Sequence, residues 1–238
     1  MEIIFVRHGH STQNLAYEKN EEYNPSTISL TKLGEEQAKI TAEHLKIYGN
    51  YDVIFSSPLL RAIQTAQIIK EKIKFKKDIV IDKCLEEHNL GITDGKKQSE
   101  VNEYINSNKE LAKMQKIYNE ETNLYKKTKL NEKYSALYFS YVKSTLTYED
   151  QIKNVKKFLN YLKKTNYKRV LVVAHGGIMD VANSIINNTN VYNHDIKTTL
   201  NNPERKIYTG NCDIMGFLYE NKKMSLVIPR NNMHLQKQ

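Results

Sequence analysis

The chain has 238 residues, and 36 Lys+Arg against 27 Asp+Glu leave a formal charge of +9. With 39% hydrophobic and 26% charged residues, it is too apolar for wholesale disorder and too polar for a membrane protein. Cys84 and Cys212 are too few for a disulfide framework or a cysteine-built zinc site, and a chain this long needs no such staple.

The first predicted element is a short strand, IIFVR at 3–7. A loop at 15–29 follows. Thr31 then caps a helix over LGEEQAKITAEHL, whose acidic first turn suits the helix dipole. VIFSS at 53–57 is a second strand, and Ser57-Pro58 has the capping pattern that opens a helix over LLRAIQTAQIIKEKI. DIVID at 78–82 is a third strand. The stretch 95–146 is rich in Lys, Asn and Tyr, helical in parts and weak in apolar periodicity, so it reads as an insertion over one end of the sheet. TYED at 147–150 has capping-box spacing, and Ile152, Val155, Phe158, Leu159 and Leu162 line one face of the helix behind it. RVLVVA at 169–174 is a strand leading to a helix that begins near Ile178, and CDIMGFLYE with MSLVIPR form a closing hairpin.

Alternating strands and helices, with nearly continuous Val/Ile runs in the strands, predict a mainly parallel sheet whose strands are buried on both faces. Right-handed crossovers then place helices on both sides. The expected architecture is one α/β domain over 1–238, with a lid-like helical insertion at about 95–146 over the active-site end.

The N-terminal MEIIFVRHG lacks a basic stretch ahead of an apolar core, and no apolar run reaches the ~20 residues of a spanning helix. The expectation is a cytoplasmic protein with no membrane partner. Scattered lysines attract anions in general but make no stripe for nucleic acid, so no nucleic-acid partner is expected either. The oligomeric state is left open, a homodimer included.

In α/β sheets, ligands bind beyond the carboxyl ends of the strands. Two strands deliver a histidine there: Arg7-His8-Gly9 ends the first, and His175-Gly176-Gly177 ends a later one. Glycine after each permits a sharp turn and close approach to a ligand. Backbone N–H groups at Gly176 and Gly177 would open a helix, a natural anion site. Arg61 sits at a strand-to-helix junction, and Glu86 and Glu87 precede the turn at Gly91.

RHGHSTQN at 7–14, LTKLGEEQA at 30–38, SSPLLRAIQTA at 56–66, LEEHNLGITDG at 85–95 and VLVVAHGGI at 170–178 occur in that order, with a closing hairpin over 211–235. Together they resemble the histidine phosphatase superfamily and its phosphoglycerate-mutase-like fold. The resemblance implies that Arg7, Arg61, His175, Asn14 and Gly176 surround a phosphoryl group. Arginine suits this because its planar fork stays charged and matches phosphate oxygens.

His8 would then be the nucleophile, passing through a phosphohistidine. Its cationic neighbours should lower its pKa and keep it unprotonated. His10 is a competitor if the segment is still extended there. Glu87 would protonate the leaving group and then activate water, by the spacing E-x-x-x-G that ends at Gly91, with Glu86 the nearby alternative. Positive charge comes from side chains, so no metal and no cofactor are expected; Asp180 and the scattered acidic residues form no metal cluster.

The resemblance divides between mutases and hydrolases. After the carboxylate this chain has His88, Asn89 and Leu90, not the basic and aromatic residues of cofactor-dependent mutases, and position 10 is His where mutases usually have Glu. It also lacks the paired arginines that mutases carry in the region matching 100–146. The expected activity is therefore phosphomonoester hydrolysis on a small phosphorylated substrate, or a phosphoprotein. Mutase activity and a non-catalytic phosphate-binding or scaffolding role are the alternatives. Substrate choice is assigned to the loop 15–29 and to Tyr104, Tyr118, Tyr125, Tyr134, Tyr138 and Tyr141 of the insertion, whose simpler role is packing.

Overall fold

The computed structural model describes residues 1–187 and 210–235. The strands are β1 (Glu2–Arg7), β2 (Val53–Ser56), β3 (Ile79–Ile81), β4 (Arg169–Ala174), β5 (Ile214–Glu220) and β6 (Lys223–Asn231). They form one sheet in the order β3-β2-β4-β1-β5-β6. Neighbours from β3 to β1 are parallel, whereas β5 runs antiparallel to β1 and β6 antiparallel to β5. The sheet is mainly parallel, as expected, and the closing hairpin extends it on one side.

The helices are α1 (Thr12–Lys19), α2 (Lys32–Leu45), α3 (Leu60–Lys72), α4 (Gln98–Ser107), α5 (Lys109–Glu120), α6 (Leu124–Val142), α7 (Tyr148–Leu162) and α8 (Gly176–Asn187). Strand alternation distributes them over two faces. Ile3, Phe5, Phe55, Val170 and Val172 pack against Val155, Phe158 and Leu159 of α7 and Ile178 and Met179 of α8. Their neighbours in sequence, Ile4, Val6, Ile54, Leu171 and Val173, pack against Ala42 and Leu45 of α2 and Ala62, Ala66 and Ile69 of α3. Burying each large side chain stabilises the fold by roughly 1.5–3 kcal/mol.

The caps at Thr31 and Thr147 form as read. Thr31 Oγ1 accepts the Gly34 N–H at 3.2 Å. Thr147 Oγ1 accepts the Asp150 N–H, and the Asp150 carboxylate accepts that of Thr147, both at 3.2 Å.

Four expectations need correction. Leu59, with no side-chain cap bond, stands at the start of α3; the hydroxyl of Ser57 is turned toward the cleft described below. The helix after β4 starts at Gly176, two residues before Ile178. β3 is not buried on both faces: it is the sheet edge, with Val80 43% and Ile81 47% exposed, because among the described residues no further strand pairs with it. The loop 15–29 begins inside α1 and contains a short 3-10 turn at Pro25–Thr27.

The 95–146 segment is largely helical. α4, α5 and α6 enclose a small core of Val101, Ile105 and Leu111, walled by the partly buried Tyr104, Tyr134, Leu137, Tyr138 and Tyr141. Tyr118 stacks on Tyr134 with ring centroids 6.3 Å apart. These tyrosines pack; the side chain of Tyr125 lies outside the described residues. The insertion is stitched to the main fold at its base. Gly91 has φ +55° and meets the Val142 carbonyl so closely that a Cβ would lie 1.8 Å from its oxygen. Ser144 Oγ donates to the Asn89 carbonyl at 2.9 Å, and the Thr93 and Tyr138 hydroxyls meet at 2.8 Å. No helix among the described residues is long and apolar enough to cross a membrane.

Candidate active site

Sheet register brings the two glycine-flanked histidines together. Arg7 on β1 lies opposite Ala174 on the adjacent parallel strand β4. His8 and His175 therefore leave neighbouring strands at the same level, and their ring centroids are 5.1 Å apart. Ser56 on β2 pairs with Val173, which puts Ser57 beside His175, Oγ to Nε2 at 2.8 Å. Beyond these strand ends opens a cleft of about 480 Å³, lined by Arg7, His8, Asn14, Arg61, Glu86, Glu87, His175 and Gly176 among others. All the residues named from the sequence as catalytic or phosphate-binding are in it.

His8 is buried, and its ring is fixed in one tautomer. A carbonyl can only accept, so His8 Nδ1 carries the proton and donates it to the Gly9 oxygen at 2.8 Å. Nε2 is left with its lone pair, and Arg61 Nε donates to it at 3.2 Å. Burial first, then His175, Arg7 and Arg61, hold the His8 pKa well below the ordinary histidine value. Cationic neighbours do act in the expected direction, but desolvation acts more strongly. His175 is likewise pushed down, by burial and then by Arg61. Ser57 Oγ accepts the Leu59 N–H at 3.3 Å, so its hydroxyl proton is available to His175 Nε2. When it donates there, the ring proton sits on His175 Nδ1, a buried atom with no hydrogen-bond partner among the described residues, and that N–H suits an anion's oxygen.

Burial and the neighbouring Arg230 lower the Arg7 pKa to about 10, and burial lowers that of Arg61. Both remain cations near neutral pH. Asn14 has a second task as the N3 residue of α1's capping box, its Oδ1 accepting the Ser11 N–H at 3.0 Å and Asn211 Nδ2 at 3.2 Å. What it can offer an anion is its NH2 group.

Glu87 occupies the place expected for an incoming anion. Its Oε2 accepts the Gly177 N–H at 2.9 Å, so the amide at the start of α8 holds the protein's own carboxylate. A Cβ on Gly177 would lie 2.6 Å from Glu87 Oε1, so a larger residue there would displace the carboxylate. Gln151 Nε2 donates to Oε1 at 2.6 Å, and His88 Nδ1 lies 3.1 Å from the same oxygen. Burial alone would raise the Glu87 pKa, but His88, His175 and Gln151 outweigh it and hold the carboxyl well below its usual range.

His10 does not line the cleft. β1 ends at Arg7, and the His10 ring turns away from the cleft lining, Nδ1 to Thr31 Oγ1 at 2.8 Å and Nε2 to Glu18 at 3.1 Å. None of the insertion tyrosines with described side chains lines the cleft; Tyr17 of α1 does, with Thr145 and Leu146. Sequence reading missed three supports. Ser57 was read as a cap. Gln151 lies 64 residues from Glu87 and only the fold joins them. Arg230, buried at the end of the closing hairpin, donates to Asp213 at 3.1 Å and to Asp180 at 2.5 Å behind Arg7. Among the described residues no group of three or more His, Cys, Asp or Glu could hold a metal ion.

A paired-histidine site at the strand ends of an α/β sheet, walled by arginines and a carboxylate, is a cleft suited to holding a phosphoryl group. Residues 3–202 match the histidine phosphatase superfamily (branch 1), and the chain belongs to that family. It is 34% identical over 110 residues to a 2,3-bisphosphoglycerate-dependent phosphoglycerate mutase of Cytophaga hutchinsonii, 46% of this chain and 50% of that one. The aligned stretch thus spans about half the relative's length. A phosphoglycerate mutase from Bacillus anthracis superposes with a TM-score of 0.71 at 17% identity, covering 100% of this chain and 96% of the other. A phosphoserine phosphatase mutant from Entamoeba histolytica, in complex with phosphoserine, gives 0.64 at 24% identity over 98% of each chain. Members of the superfamily include both phosphatases and mutases, and the structural likenesses show the shared fold.

Proposed function

We propose that the protein is a metal-independent phosphomonoesterase that works through a phosphohistidine on His8 Nε2, with a small phosphorylated molecule as substrate and no nucleic-acid or membrane partner. The observation that carries this reading is the state of His8: a neutral imidazole, its Nδ1 proton committed to Gly9, its Nε2 lone pair held among Arg7, Arg61 and His175. A phosphate monoester entering that ring meets a nucleophile and fixed positive charge together. The phosphorus–oxygen bond to the leaving group breaks as the bond to Nε2 forms. Glu87 supplies the leaving oxygen's proton. In the second step it takes a proton from water, which attacks phosphorus and frees His8.

Hydrolysis is favoured over mutase chemistry by the cleft beyond the phosphate end. Its lining there is Ile28, Leu59, Leu90 and Leu146 with the carboxylates Glu86 and Asp94, and among the described lining residues Arg7 and Arg61 are the only Lys or Arg. Among the described lining residues a second anion on the leaving group meets no Lys or Arg beyond Arg7 and Arg61, but neutral donors such as Gln13 and Asn89, so a neutral or cationic leaving group is favoured. The mutase reading retains the likeness to the Cytophaga enzyme.

The test is a panel of phosphorylated metabolites assayed for phosphate release and, side by side, for 3-to-2-phosphoglycerate conversion. Phosphate release that survives EDTA and is lost in His8→Ala supports the proposal. Isomerisation faster than hydrolysis, or release that needs an added divalent ion, would overturn it.

A further inference from the structure

We propose that His88 is the proton reservoir of this site, lending its Nδ1 proton to Glu87 while the leaving group departs and recovering it while Glu87 activates water. The inference rests on the phosphatase reading and adds to it a positioning residue that acts through Glu87.

The geometry starts from a difficulty. A general acid must carry a proton, yet Glu87 sits in a ring of donors suited to its ionised form: the Gly177 N–H, Gln151 Nε2 and the His88 ring. The proton must therefore be held nearby. His88 is the adjacent residue, lines the cleft, and places Nδ1 3.1 Å from Glu87 Oε1. That separation is within ion-pair range, yet the buried Nδ1 makes no aligned hydrogen bond. Gln151 Oε1, beside the same carboxylate, is also buried and without a partner among the described residues. An unsatisfied buried polar atom is costly, so a free acceptor beside this carboxylate calls for an explanation, and a proton that comes and goes there supplies one.

Gln151 suits such a place. Its amide gives NH2 to a carboxylate and, turned over, C=O to a protonated carboxyl, so it can accompany Glu87 through both states. Phe139 of α6 braces the His88 ring edge-on, centroids 4.2 Å apart, and limits its reorientation.

The charged and titratable groups acting on the pair are Arg7 from β1, Arg61 from α3, His175 from the end of β4 and Asp180 from α8. Burial works against a charged His88, but the carboxylate of Glu87 prevails and raises its pKa above the ordinary value. The 3.1 Å contact and this mutual attraction favour the pair as imidazolium and carboxylate before substrate reacts. In the first half-reaction the proton moves from His88 to Glu87 and on to the leaving oxygen, leaving His88 neutral as the His8–phosphorus bond forms. In the second, a proton of the attacking water passes through Glu87 back to His88 as that bond breaks. Two groups this close titrate as a unit.

His88→Gln keeps a polar side chain of similar reach but holds no proton. An alkyl phosphate, whose leaving oxygen needs a proton, should lose about 10²-fold or more in kcat/KM, whereas p-nitrophenyl phosphate should lose less than about fivefold. The basic limb of the alkyl-ester pH profile should also move down by at least about one unit, toward Glu87 acting alone. An unchanged circular dichroism spectrum and Tm report an intact fold. Equal losses on both esters, or an unmoved basic limb, would overturn the proposal while leaving the phosphatase reading intact. A second readout needs no variant at position 88: NMR titration of the wild-type His88 ring should lie above the ordinary histidine range and fall in Glu87→Gln. A His88 that titrates within or below that range in the wild type contradicts the reservoir. Wild-type protein that cleaves neither ester would instead contradict the phosphatase reading itself.

Discussion

The floor of the cleft and the insertion formed by α4–α6 are built on different terms. On the floor, His8, Ser57 and His175 follow parallel strands whose register sets their separation, and all three are buried. Among the described residues the insertion's own core is the small buried cluster Val101, Ile105 and Leu111, inside a wall of half-exposed tyrosines. It is bonded to the rest around Asn89, Gly91 and Thr93 and, from Ser99 of α4, to Asn20 at the end of α1. The chemistry thus sits where covalent connection and sheet hydrogen bonds leave least freedom. The insertion reaches the cleft through its trailing edge, Thr145 and Leu146. Changes on the floor should therefore alter turnover, and changes inside the insertion should alter local stability or substrate choice.

Arg61→Leu should show the larger effect. It removes the cation that donates to His8 Nε2, and turnover of an aryl phosphate should fall about 10²–10³-fold. A loss below tenfold would mean that the floor is not preorganised as described.

Leu111→Ala should cost about 2–5 kcal/mol within the insertion, because Leu111 is fully buried in its small core. Amide exchange across 98–142 would quicken while aryl-phosphate turnover stays within about twofold. A rate loss matching that of Arg61→Leu would erase the distinction between the two regions.

The closing segment gives a smaller, pH-dependent effect. His234 stacks on His44 at 4.9 Å and meets Thr41 Oγ1 at 2.9 Å. Burial, then His44, pushes its pKa down to about 4. The unfolded chain, at about 6.5, binds the proton first as pH falls, so stability should decline from about pH 6.5 and level off below about pH 4. In Tm against pH, His234→Gln should flatten that decline; an unchanged slope would remove His234 as its source.

Tyr141→Phe should do least. Its exposed hydroxyl donates to Glu110 at 2.6 Å, and losing that bond should change stability by less than about 0.5 kcal/mol in a denaturant titration.

Much of this was legible in the sequence because it is local. Thr31 and the Thr147–Asp150 box mark helix starts through their own backbone, and the Val/Ile runs of β1, β2 and β4 mark buried strands. The two His-Gly steps and Arg61 could be placed at one crevice because parallel strands end on the same side. What escaped depends on contacts between distant segments. Ser57 carries a good capping signal, yet its hydroxyl faces a histidine 118 residues later. Gln151 and Arg230 look like ordinary helix and hairpin residues until the chain folds. The exposure of β3 follows from its being last in the sheet, which its own composition does not reveal. Whether the RHGH segment stays extended through His10 was open in the sequence; β1 ends at Arg7, and Thr31 and Glu18 bind the His10 ring.

The most direct test of the account is rapid quenching of the protein during turnover of a radiolabelled phosphomonoester. An acid-labile, base-stable phosphoryl adduct should appear on His8 at a rate no slower than kcat, and be absent from His8→Ala. Brisk phosphate release with no such adduct, or an adduct on another residue, would contradict it.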